Sequence, residues 1–163
     1  MKAAGAIAAM VLMAVACGAP TRGPHWAGYT PRARSITVTT VPLLVKEGQL
    51  VYPFLKAAFA KGGVLEGKEV YAFSPSTIVV VAGDTIHFTL INPEDDNHSF
   101  VLPDFAVALP GGKTIQATYV ARRAGIFTIL CSVPAHLPMM SGELVVLSAE
   151  TMGGVADPEA ASK

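Results

Sequence analysis

From Glu69 to Asn92 apolar and polar positions alternate with a period of two, Tyr71, Phe73, Ile78, Val80, Ile86, Phe88 and Leu90 forming the apolar series. Gly83 and Asp84 interrupt it as a turn, so the stretch predicts two long strands about a hairpin-like connection. Shorter runs of the same kind follow at Thr114 to Ala121, Ile126 to Leu130 and Gly142 to Leu147, with turns at Leu109–Gly112 and Arg122–Gly125. Ahead of them, Ser35 to Val45 is rich in β-branched residues, and Pro42 pushes that strand towards an edge or a bulge. One segment changes period. In Pro53 to Lys61, Leu55, Ala58 and Phe59 share a helical face, a proline stands in the first turn, and Gly62–Gly63 end it. The pattern predicts an all-β chain, a Greek-key β-sandwich with a short helical insertion.

Composition supports one core. The chain has 163 residues, 52% hydrophobic and 15% charged, with a formal net charge of zero. That length suits a single domain, and the neutral balance gives no electrostatic footprint for nucleic acid. The apolar run from Ala3 to Ala16 is too short for a membrane span, which needs about 20 residues, and suits a secretory leader. It ends in Ala14-Val15-Ala16-Cys17-Gly18, which resembles a bacterial lipobox although Ala14 stands where leucine is usual. The expectation is a signal peptide over 1–16, a diacylglycerol on Cys17 and a membrane-anchored lipoprotein facing the periplasm or cell exterior; an ordinary signal peptide is the alternative. Residues 17–34, rich in Pro and Gly, read as a flexible tether, 35–147 as the domain and 148–163 as a loose tail.

The chemistry is concentrated in one loop. Cys131, His136, Met139 and Met140 put a thiolate, an imidazole and two thioethers within a few residues, and Pro134 and Pro138 restrict the backbone between them. Two His and one Cys with a weak axial Met is the ligand set of a single copper used for electron transfer. The second His has to come from elsewhere, and His98, where the chain leaves the polar turn 92–97, is the candidate. His87 is out of phase with its apolar neighbours and should face solvent, while His25 lies on the tether and cannot be pre-organised. Glu94, Asp95 and Asp96 lack the spacing of a calcium loop and read as a solvated turn. With Cys17 lipidated, Cys131 is the one thiol left, so no disulfide is available, and a free thiol in an exported compartment calls for something to occupy it.

The run from Cys131 to Leu144, Cys-Ser-Val-Pro-Ala-His-Leu-Pro-Met-Met-Ser-Gly-Glu-Leu, resembles the ligand loop of the azurin, auracyanin and rusticyanin branch of the cupredoxins. The resemblance covers about Tyr71 to Leu147 and departs at Ala135, where the family usually has Gly. It implies a cupredoxin-like sandwich holding one copper ion that cycles between Cu(I) and Cu(II). Carried over residue by residue, Cys131 is the equatorial thiolate, His98 and His136 the equatorial imidazoles, Met140 rather than Met139 the axial thioether, and Gly142 the opening of the last strand. Ser99 would tie the His98 strand to the Cys131 loop. The His136 ring edge would reach solvent beside an apolar patch of Leu137, Pro138 and Met139, a contact surface for redox partners such as a c-type cytochrome or a terminal oxidase. Leu130 and Ser132 flank Cys131 where electron-relaying copper enzymes have a His, and a binuclear centre would need a second Cys in the loop, so a monomeric electron-transfer protein and no enzyme is expected. The rivals are a copper carrier or store using His136, Met139 and Met140, and a metal-free binding module.

Overall fold

The computed structural model describes residues 28–152. The leader, Cys17 and most of the tail lie outside the described residues. Within them, nine strands form two sheets. The first, in the order β2-β1-β4-β7, contains β1 (Ala33–Leu44), β2 (Val70–Ser74), β4 (Thr85–Asn92) and β7 (Lys113–Val120). The second, in the order β3-β9-β8-β5-β6, contains β3 (Thr77–Val81), β5 (His98–Leu102), β6 (Phe105–Leu109), β8 (Gly125–Leu130) and β9 (Ser141–Leu147). Two pairings are parallel, β1 with β4 and β3 with β9; the others are antiparallel. Facing side chains of both sheets build one core, in which Phe73, Phe88, Phe100, Ile86, Leu90, Ile129 and Leu144 are fully buried. Three of these rings pack together, Phe73 and Phe88 lying 5.5 Å and 5.2 Å from Phe100.

The Gly83–Asp84 connection corrects one sequence expectation. It is a crossing between sheets and not a hairpin, since β3 pairs with β9 while β4 pairs with β1 and β7. Gly83 has φ +96°, and a Cβ there would stand 2.8 Å from the Pro31 ring. Its amide donates to Ala121 O at 2.7 Å and the preceding Ala82 amide to Leu147 O at 2.9 Å, so the crossing is stitched to both sheets. Alternation of period two reports which faces are buried but not which strand is the neighbour.

Other boundaries shift for local reasons. β1 begins at Ala33, and Tyr29, Arg32 and Arg34 all bond to Asp84, so the end of the expected tether belongs to the body. Pro42 lies in the part of β1 that pairs with β2 alone, beside a register irregularity between Pro42 and Leu44, which spares it a missing donor. Strand β6 is an element that the sequence reading left out: Phe105, Val107 and Leu109 alternate with alanines, which blunts the contrast between faces. The helical insertion is a 3-10 turn at Lys46–Leu50 followed by α1 (Leu55–Phe59), shorter than the predicted helix, with Leu55 as its buried anchor. A final turn, α2 (Ala149–Met152), buries Ala149 and extends the body past Leu147.

Candidate metal centre

His98 opens β5 opposite Leu109 and is positioned by the turn before it. Asn92, buried at the end of β4, donates through Nδ2 to the carbonyls of Asp96 at 2.8 Å and Leu109 at 2.9 Å, and its Oδ1 accepts from Thr40 Oγ1 at 2.9 Å. The polar turn 92–97 is therefore locked to β1 and β6, which fixes where His98 enters the sheet.

Cys131 follows β8 directly. The loop after it closes on itself: the Cys131 amide donates to Met140 O at 3.0 Å, the Met140 amide to His136 O at 2.9 Å and the His136 amide to Val133 O at 3.0 Å. Gly142 sits so close to the neighbouring chain that a Cβ would stand 2.5 Å from Ser76 O, and the Glu143 amide donates to that same oxygen at 2.7 Å. A side chain at 142 would push β9 away and with it Met140. Met140 is fully buried in the core cluster with Cys131, whereas Met139 is 36% exposed, so of the two thioethers it is Met140 that faces inward.

These elements bring three donors together. The ligand atoms of His98, Cys131 and His136 lie within 4.8 Å of one another, and all three residues are buried. His98 Nδ1 is 3.2 Å from His136 Nδ1, which is itself 3.6 Å from Cys131 Sγ. Ser99 accepts from the Ser132 amide at 2.8 Å, and its hydroxyl lies 3.9 Å from Cys131 Sγ, so it joins the His98 strand to the Cys131 loop. Burial lowers the pKa of both imidazoles, that of His98 to about 4 with the neighbouring His136 adding to the effect, although Asp96 opposes the shift at both rings and Glu69 at His136. Both shifts favour the neutral imidazole, the form that can give a metal a lone pair. His98 Nε2 is buried with no partner among the described residues, so no acceptor there holds the ring proton on that nitrogen. Two imidazoles, a thiol and an inward thioether fit copper by softness and ligand count, and fit calcium or magnesium poorly.

Where the sequence predicted an exposed edge on His136, the residue is 3% exposed, which corrects that expectation. The segment after the insertion covers it. Lys68 Nζ donates to Pro134 O at 2.8 Å and the Glu69 amide to Ala135 O at 3.1 Å. Tyr71 then lies against both imidazoles, its ring 4.5 Å from His98 and 4.7 Å from His136, while its hydroxyl donates to Asp96 Oδ2 at 2.6 Å. Tyr71, Glu69 and Asp96 are the site residues that sequence reasoning missed: Tyr71 read as an ordinary core position and Asp96 as one of a solvated trio. Pro138 and Met139 are exposed and Leu137 is half-buried, so the loop keeps an apolar outer face. His87 points outward and meets Thr118 Oγ1 at 3.2 Å.

No family model matches the chain. A stretch of 36 residues is 44% identical to Auracyanin-A of Chloroflexus aurantiacus, covering 22% of each protein. Among solved structures, the copper nitrite reductase from Nitrosomonas europaea superposes with a TM-score of 0.51 at 22% identity, over 74% of this chain and 43% of that one. The multicopper oxidase mgLAC superposes with a TM-score of 0.50 at 15% identity, over 71% of this chain and 39% of its own length. This chain thus spans less than half the length of these two solved proteins. The likeness carries the two-sheet architecture.

Proposed function

We propose that this chain, a cupredoxin by fold, is a single-copper electron-transfer protein, exported and held at a membrane surface by a lipid on Cys17. The observation that carries the reading is the convergence of His98, Cys131 and His136 on one buried point with Met140 turned inward beside them. Copper bound there supplies a one-electron couple between Cu(I) and Cu(II). The residues supply the rest. The closed loop hydrogen bonds and Ser99 hold the donors in one arrangement, so little needs to move as charge changes. Phe100, Ile129 and Leu144 belong to the dry core around Cys131 and Met140 and disfavour the doubly charged state, which favours a high potential.

An enzyme is disfavoured, since the donors fill the site and, among the described residues, the other grouping of possible ligands, Glu69, Asp96 and His136, shares His136 with it. Glu69 there accepts from the Lys46 amide and Asp96 from the Tyr71 hydroxyl. A carrier that hands copper on would need donors within reach of its recipient, and here all three are buried. Redox partners would be proteins of the c-type cytochrome or terminal oxidase kind.

The test is the visible spectrum of the copper-loaded protein. A thiolate-to-Cu(II) charge-transfer band, bleached by ascorbate and restored by oxidant, is expected; a colourless copper-loaded protein rules the assignment out. The two thioethers are separated by voltammetry. Met140→Leu should raise the potential by at least about 60 mV, a tenfold change in preference for the oxidised ion, and Met139→Leu should leave it unchanged. The reverse pattern would give the axial role to Met139.

A further inference from the structure

The insertion between β1 and β2 is built like a contact surface. Leu50 is 90% exposed, Val64 87%, Val51 70% and Phe54 68%, and Tyr52 stacks beside Phe54 with ring centroids 5.9 Å apart. Leu55, one residue on from Phe54, is buried, so the insertion packs one apolar side chain away and leaves these outside. Leu50, Val51, Tyr52 and Phe54 follow closely along the chain, and clustered apolar exposure marks a binding site more often than a structural accident.

Its location matters as much as its composition. The insertion leaves β1 at Leu44, and its last residues, Lys68 and Glu69, bond to the carbonyls of Pro134 and Ala135 in the metal loop. The chain enters the sandwich at the other end of β1, where Ala33 pairs with Thr85, and the 12 residues of β1 separate the two ends by roughly 40 Å. The apolar surface therefore sits at the metal end and away from the N-terminal approach. The same segment that covers His136 also bonds to the residue before it, the Glu69 amide donating to the Ala135 carbonyl.

Charge narrows the occupant. From Lys46 to Glu69 the chain carries four lysines and three glutamates, an excess of one positive charge on a protein of zero net charge, with Lys46 paired to Glu69. Lys56 and Lys61 are exposed and, among the described residues, form no ion pair. We infer that residues 46–68 are the docking face for a redox protein whose electron-exchanging edge is apolar and rimmed by carboxylates. The inference rests on the electron-transfer reading and locates where exchange occurs. Apolar contact brings the partner's cofactor against the metal end, and the lysines steer its acidic rim.

The probe is a c-type cytochrome with an acidic haem-edge rim. Titrated into the isotope-labelled Cu(I) protein, it should shift amide resonances of residues 46–68. In stopped flow, Leu50→Ser/Phe54→Ser should slow exchange at least about tenfold, equivalent to a loss of one decade in affinity, with the visible spectrum unchanged. Lys56→Glu/Lys61→Glu should slow it at low salt and flatten its dependence on ionic strength. Leu50 and Phe54 are exposed, so these variants leave the core alone. Wild-type rates in both variants, with Leu137→Glu slow instead, would overturn the inference and move docking to the ligand loop. Binding to phosphatidylglycerol vesicles, lost in Leu50→Ser/Phe54→Ser, would assign the surface to lipid and overturn it. So would a monomer–dimer equilibrium in sedimentation that the same variant abolishes. Absence of the charge-transfer band in wild type would defeat the electron-transfer reading itself, and resonance shifts elsewhere than 46–68 would defeat only the docking face.

Discussion

Cys131→Ser is expected to abolish the visible absorption completely while leaving the far-ultraviolet circular dichroism of the β-sandwich intact. The band requires a thiolate on Cu(II), and Cys131 is the only cysteine among the described residues. A serine hydroxyl is a hard, protonated donor at neutral pH and does not replace the soft thiolate, so copper affinity should fall by orders of magnitude, measured by competition with a chromophoric chelator. The fold should survive because Cys131 contributes one small side chain to a core of many large apolar groups; the expected loss of stability is about 1 kcal/mol. The contrast between lost colour and kept structure separates a metal thiolate from a structural buried thiol. Equal copper affinity in the variant and the wild type would place the ion elsewhere.

The ligand loop was legible because the chemistry of a soft metal demands uncommon residues at short range. Cys131, His136 and Met140 stand close in sequence, and the loop bonds that close on themselves are local. His98 was found less directly, by asking for a second imidazole, and the turn that holds it depends on Asn92 reaching Leu109 and Thr40, contacts that no local pattern announces. The cover over His136 was invisible for the same reason. Lys68 and Glu69 precede the loop by more than sixty positions and bond to its backbone carbonyls, which every residue possesses. Strand faces were readable from alternation, as the burial of Ile86, Phe88 and Leu90 demonstrates, but the sheet to which each strand belongs was not. Gly83–Asp84 carries the composition of a hairpin turn. What makes it a crossing is Asp84 itself, whose side chain turns inward to meet the N-terminal segment.

Asp84→Ala is expected to destabilise the protein by about 3 kcal/mol, lowering Tm by roughly 10 °C. Asp84 is fully buried and gathers partners from two segments: Oδ1 accepts from the Tyr29 hydroxyl at 2.5 Å and the Arg32 amide at 2.8 Å, and Oδ2 accepts from the Val81 amide at 3.2 Å and pairs with the Arg34 guanidinium. Truncation leaves the buried Val81 amide without its acceptor, and an unpaired buried donor costs about 1–3 kcal/mol, while the Arg32 amide, on an exposed residue, can turn to water. Arg34 is 36% exposed and can turn to water, so the cost stays below that of a stranded buried charge. Burial alone would raise the carboxyl pKa, but the bonds from Tyr29, Arg34 and the two amides outweigh it and hold the value at about 2. Because the folded pKa lies below the unfolded one, near 3.8, the stabilisation is fully present above about pH 4 and is lost as the pH falls through 2. It amounts to about 2 kcal/mol. Urea unfolding of the wild type should accordingly weaken between pH 4 and pH 2 by that amount more than unfolding of Asp84→Asn, in which no carboxylate titrates. Parallel curves for the two proteins across that window would show that the N-terminal segment is held by contacts other than the Asp84 charge.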